Sequence, residues 1–128
     1  MTKSILVVDD EASITFALEQ LMKAEGYSVQ TASSGQQALA LNLETHPDLI
    51  LLDTSLPDRD GYDICQTIRK DAACEHVKII MMNASSRQIE LEKGLACGAN
   101  SALTKPFSLG SVMQTVKALL AQQTHDKT

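Results

Sequence analysis

Apolar positions in this chain fall into five short runs separated by stretches of helical period. Residues 5–8 and 49–52 are unbroken branched aliphatic runs, and residues 77–82 hold a third, nearly continuous one. Such runs read as strands buried on both faces of a parallel sheet. Residues 28–31 and 101–104 give two shorter strands. Between them, residues 11–25 carry Ile14, Ala17, Leu18, Leu21 and Met22 on one helical face, and Gly26 closes that helix. Ser33 and Ser34 cap a second helix that carries Ala38 and Leu41 to about Glu44, where His46-Pro47 breaks it. Residues 56–61, Leu-Pro-Asp-Arg-Asp-Gly, are turn formers and lead into a third helix at 62–70. A fourth helix covers 87–97 and stops at Gly98. Ser108 caps the last, which presents Leu109, Val112, Val116, Leu119 and Leu120 on one side. The polar end predicts one folded domain over 1–122 and a frayed tail over 123–128.

Five β/α units of this length imply an α/β fold, a parallel sheet with helices on both faces. The flavodoxin-like doubly wound order 2-1-3-4-5, with five strands and five helices, sets the first strand beside the third. In such sheets ligands bind beyond the carboxyl ends of the strands. The first strand ends in Asp9-Asp10-Glu11 and the third in Asp53. Three carboxylates then converge on one point, and their mutual repulsion raises their pKa values unless a cation neutralises it. A hard cation such as Mg²⁺, which takes oxygen ligands, fits that set. Any one of these Asp residues reads equally well as a solvated turn residue; the set, at the ends of two buried strands, does not.

Two further residues reach the same edge. Lys105, after the fifth strand, offers a point charge for Asp53 or for a phosphate built on it, and Pro106 admits a cis bond that turns the Lys inward. Asn83, ending the fourth strand, offers an amide donor, or else caps the following loop with Ser85 and Ser86.

Composition removes other classes. The 128 residues are 44% hydrophobic but only 3% aromatic, with a formal net charge of −5. Neither base stacking nor attraction to nucleic acid or anionic membrane fits that balance. No apolar stretch approaches the about 20 residues of a membrane span, and the N-terminus does not read as a signal peptide. Three scattered cysteines, Cys65, Cys74 and Cys97, form no CxxC pair and point to a reducing cytoplasm.

The chain resembles a response regulator receiver domain, the CheY-like phosphoacceptor of two-component signalling. The resemblance rests on Ile5-Leu6-Val7-Val8-Asp9-Asp10-Glu11, on Asp48-Leu49-Ile50-Leu51-Leu52-Asp53 followed by Leu56-Pro57-Asp58-Arg59-Asp60-Gly61, and on Gly98-Ala99 ahead of Lys105-Pro106-Phe107. Their order and spacing are specific and span nearly the whole chain. The resemblance implies that Asp53 is phosphorylated by a histidine kinase or phosphotransfer protein. It implies that Asp10 ligates Mg²⁺ directly, that Asp9 assists through water, and that the Ser55 carbonyl is a further ligand. Lys105, Asn83 and the backbone of Ala84 would hold the phosphoryl group. A downstream protein or domain would read the face of the fourth helix, fifth strand and fifth helix. Two positions depart from the family pattern: Asn83 stands where a Ser or Thr is usual, and Ala102 where a Tyr or Phe is usual. The phosphorylation residues are intact, whereas the usual hydroxyl and swinging aromatic are missing from the output machinery.

Two rival classes remain open at this level. One is a binding module on the same fold that no longer responds to phosphate, motivated by Asn83 and Ala102. The other is an Asp-nucleophile phosphohydrolase, which usually carries an acid two residues after the nucleophile; here that residue is Ser55, and a non-enzymatic role is expected. A flavin carrier is disfavoured because no Ser/Thr/Gly-rich loop follows the first strand. With no DNA-binding or catalytic output segment after the last helix, a stand-alone or excised receiver is expected.

Overall fold

The computed structural model describes residues 2–84 and 87–125. Its elements alternate as β1 (Ser4–Val8), α1 (Ala12–Ala24), β2 (Ser28–Ala32), α2 (Gly35–Thr45), β3 (Leu49–Asp53), α3 (Gly61–Arg69), β4 (Lys78–Asn83), α4 (Gln88–Ala96), β5 (Ser101–Thr104) and α5 (Leu109–His125), with a 3₁₀ turn at Ala72–Cys74. All strand pairings are parallel, in the order β2-β1-β3-β4-β5. The expected fold class is the one observed, with element ends displaced by a residue or two.

Pleat alternation sorts the core into two layers. Ile5, Val7, Leu49, Leu51, Ile80 and Met82 pack against α1 and α5. Leu6, Val8, Ile50, Leu52, Ile79 and Met81 face the opposite layer, with Ile64, Cys65 and Ile68 of α3. The three central strands are buried on both faces, which is why they read as continuous apolar runs. β2 lies at the edge and alternates between exposed and half-buried positions.

Helix ends follow local chemistry. Gly26 adopts φ +95° just past α1, and Ser34 Oγ accepts from the Gln37 amide at the start of α2. His46 stops α2 in a left-handed conformation ahead of Pro47. Ser108 Oγ accepts from the Ser111 amide as the cap of α5. One expected core position is corrected. Val112, Val116, Leu119 and Leu120 are buried, but Leu109 is 45% exposed, because it sits in the first turn of α5 at the rim of the buried stripe. The helical backbone of α5 continues to His125, past the expected frayed start, and 126–128 lie outside the described residues, as do Ser85 and Ser86.

Candidate functional site

β1 and β3 are neighbours in register, Val8 opposite Leu52, so the acids that follow each strand emerge side by side. One carboxylate oxygen from each of Asp9, Asp10 and Asp53 lies within 4.8 Å of the other two. Asp9 and Asp53 are buried, and Asp10 is exposed. The Asp53 carboxyl is held above the usual carboxylate range, first by burial and then by repulsion from Asp9 and Asp10; the Ser55 amide and the Lys105 ammonium work against that rise. Among the described residues this is the one group of three such donors close enough to hold a metal ion. An all-oxygen, carboxylate-rich set of this kind suits Mg²⁺.

Lys105 closes the site from β5. Its Nζ lies 2.7 Å from Asp9 Oδ2, 3.4 Å from Glu11 Oε1 and 3.6 Å from Asp53 Oδ2. Pleat parity accounts for the geometry. Asp9, Asp53 and Lys105 continue the faces of Val7, Leu51 and Leu103, so all three project toward the α1–α5 layer. Burial disfavours charge on Lys105, yet its hydrogen bond to Asp9 and the charges of Asp53 and Asp9 raise its pKa above the ordinary value. The Lys105-Pro106 bond is cis.

The loop after Asp53 is tied back onto the acid. Asp53 Oδ1 accepts from the Ser55 amide at 3.2 Å, and Ser55 forms an isolated antiparallel bridge with Asp60. The Gly61 amide donates to the Thr54 carbonyl at 3.0 Å, and a Cβ at Gly61 would collide with the Asp53 carbonyl. Only glycine allows α3 to start this close to the phosphoacceptor candidate. Asp58, from the same loop, accepts from the amides of Gly35 and Gln36 at 2.8 and 3.0 Å, and so caps α2. Those two backbone bonds hold the Asp58 carboxyl below the usual carboxylate range. In the sequence Glu11 and Asp58 stand out only as parts of motifs. The signal that could have found Asp58 is the pair of free amides at the start of α2.

Asn83 ends β4 and is 1% exposed, yet neither atom of its side-chain amide has a hydrogen-bond partner among the described residues. An unsatisfied buried group of this type costs about 1–3 kcal/mol. Its backbone carbonyl accepts from the Lys105 amide at 2.7 Å. Ala84, next in sequence, is exposed. Ala102 is half-buried in β5, opposite Met81.

A family model described as the response regulator receiver domain matches residues 5–117. The chain belongs to the response regulator receiver domain family. Solved structures agree. A CheY-like receiver domain protein from Methanospirillum hungatei is 27% identical with a TM-score of 0.91, over 98% of this chain and 99% of that one. The chemotaxis response regulator CheY4 of Vibrio cholerae is 27% identical with a TM-score of 0.89, over 93% and 99%. The receiver domain of a signal transduction histidine kinase from Syntrophus aciditrophicus is also 27% identical, with a TM-score of 0.87 over 94% and 92%. This receiver domain is therefore a module of two-component signalling, a family generally of signalling modules rather than classical enzymes. The acidic pocket fits the Mg²⁺ that receiver domains typically bind.

Proposed function

We propose that this receiver domain accepts a phosphoryl group on Asp53 from a histidine kinase or phosphotransfer protein. The observation that carries this reading is the convergence of Asp9, Asp10 and Asp53 at one strand edge, with the Lys105 ammonium in reach of two of them. Asp9, Asp10, Asp53 and the Ser55 carbonyl would hold Mg²⁺. When bound, the ion supplies positive charge that offsets carboxylate repulsion and the charge of the incoming group. An Asp53 oxygen attacks phosphorus as the bond to the donor breaks. Lys105 then binds a phosphoryl oxygen, and Asn83 and the Ala84 amide border the group from β4. Catalysis here is positioning and charge stabilisation around a loose transition state.

A groove of about 470 Å³ opens beside Lys105 and Glu11, walled by Ile14, Ala84, Pro106 and Phe107. It offers an apolar seat for the donor protein next to the acids. The exposed Ile89 and Leu95 of α4 and Leu109 of α5 favour docking of a downstream protein or domain on the α4-β5-α5 face. Net charge −5 disfavours direct nucleic-acid or membrane binding, and among the described residues no helix is long and apolar enough to cross a membrane. A cytoplasmic, non-enzymatic module fits these features. The phosphate-independent alternative rests on Asn83 and Ala102, and the assembled acids weigh against it. A phosphohydrolase is disfavoured by Ser55 in place of a second acid. Intact-mass spectrometry after incubation with acetyl phosphate and Mg²⁺ tests the reading. One phosphoryl group per chain is expected in the parent and none in Asp53→Asn; uptake by the mutant would overturn it.

A further inference from the structure

Asn83 sits where three elements of the site meet. In the sheet register its neighbour Met82 pairs with Asp53, and Asn83 itself pairs with Thr104, the residue before Lys105. Pleat alternation sends its side chain to the face of Ile79 and Met81, whereas Lys105 leaves β5 on the opposite face. Lys105 and the Asn83 amide thus lie on opposite faces of the carboxyl edge that Asp53 shares, and a group built on Asp53 reaches the amide by extending past that edge. The amide is buried, and among the described residues neither of its polar atoms has a partner, which is rare for a native side chain and calls for a role. The chain reaches solvent one residue later, at the exposed Ala84.

An amide differs from the usual hydroxyl in holding its donor and its acceptor on separate atoms. It carries donor hydrogens on nitrogen and lone pairs on a separate oxygen, side by side on a rigid plane. One atom can donate to a phosphoryl oxygen while the other accepts from a water beside it. In phosphoryl transfer to water, a side-chain amide that orients the nucleophile is enough to accelerate the reaction, because the transition state asks for placement more than for bond chemistry.

We propose that Asn83 is a positioning residue for the water that hydrolyses the Asp53 acyl phosphate, and that it sets how long the phosphorylated state lasts. The proposal rests on the reading of Asp53 as phosphoacceptor. The water oxygen bonds to phosphorus, and the bond between phosphorus and the Asp53 oxygen breaks with its electron pair returning to the carboxylate. The water proton leaves with inorganic phosphate. Asn83 changes neither its protonation nor its bonding.

The test loads the full chain with acetyl [³²P]phosphate and Mg²⁺, removes the donor, and follows first-order loss of label. Only the rate constant is read, so the extent of loading does not matter. Asn83→Ala should lose label about tenfold more slowly than the parent, the worth of about one hydrogen bond in the transition state. Asn83→Gln, which keeps the amide, should recover part of the rate. Hydroxylamine attacks the acyl carbon rather than phosphorus, so its cleavage of the same phosphate should not share the slowing; a general distortion of the site would slow both. Equal or faster loss from Asn83→Ala would overturn the proposal alone, as would slowing of both reactions together. A parent that takes no label would overturn the phosphoacceptor reading and this proposal with it.

Discussion

Lys105 places its ammonium 2.7 Å from Oδ2 of Asp9, an aspartate whose side chain is wholly buried. The bond spans 96 residues of sequence and joins the ends of β1 and β5 across the sheet edge. Removing the Lys leaves Asp9 and Asp53 facing each other without a cation. Breaking one partner of a buried pair costs about 3 kcal/mol or more. Lys105→Met should therefore lower the melting temperature at neutral pH. The sign with pH follows from Asp53. Its folded pKa lies above the unfolded value, so it costs stability once pH passes the ordinary carboxylate range, and the cost is full above the folded pKa. The deficit of Lys105→Met should shrink as pH falls through that window. Thermal melts across acid and neutral pH would check this, and a deficit that grows toward acid would contradict it.

Mg²⁺ should stabilise the fold by relieving the same repulsion. Binding to the native state alone adds about 2.7 kcal/mol at a hundredfold excess over Kd. For a domain of this size that raises the melting temperature by on the order of 10 °C. Asp10→Ala removes the exposed member of the acid set and should lose most of the rise. Equal rises in both proteins, measured by calorimetry, would sink the metal assignment.

Asp58 links the loop that follows Asp53 to the start of α2. Asp58→Ala frees the Gly35 and Gln36 amides, which should then exchange hydrogen faster than in the parent. Because the folded pKa of Asp58 is depressed, its stabilising effect is present above the unfolded carboxylate pKa and is lost as pH falls through the folded one. Parent and mutant should therefore converge in stability in acid. Unchanged exchange at Gly35 and Gln36 would mean that the cap is not populated in solution.

Arg69 is a clamp at the other end of the sheet. Its guanidinium donates to the carbonyls of Gly98 and Cys74 and to Asn100 Oδ1, which also accepts from the Ile79 amide. A Cβ at Gly98 would fall 2.6 Å from Arg69 Cγ, and Gly98 has φ +103°. Gly98→Ala should cost at least about 1 kcal/mol from the backbone alone, and more through displacement of Arg69. Urea denaturation should show Gly98→Ala and Arg69→Ala each less stable than the parent. Their double mutant should fall short of additivity, since both act on one contact.

The legible parts of this molecule were those set by local pattern. Residues 5–8 and 49–52 announced buried strands because each lies between two neighbours and under two helical layers. The acids were legible because they directly follow those runs. Partnerships across the fold were harder. Asp58 meets Gly35 over 23 positions and Arg69 meets Asn100 over 31, and no local period encodes either. That Lys105 shares a face with both Asp9 and Asp53 follows from pleat parity, which needs the register of β1, β3 and β5 together. Leu109 matched the helical stripe of α5 yet stayed exposed, because a period gives the direction of a side chain and not where the covering layer ends.

Asn83 and Ala102 bear on how a phosphoryl group would be read. Ala102 has no rotamer to exchange, so we propose that the signal travels through the backbone near Asn83 toward α4. A ligand shifts a two-state element only by its differential interaction with the two states. Among the described residues the Asn83 amide has no hydrogen-bond partner, and a bond gained to a phosphoryl oxygen would supply such a difference. A bond of this kind to a charged oxygen contributes roughly 1.5–3 kcal/mol, enough for about a ten- to hundredfold shift in population. NMR spectra with and without beryllofluoride, a phosphoryl mimic, should show large shift changes across α4 and β5 in the parent and smaller ones in Asn83→Ala. Undiminished changes in that mutant would mean that the signal leaves Asp53 by another route, of which the Asp58 link to α2 is the nearest at hand.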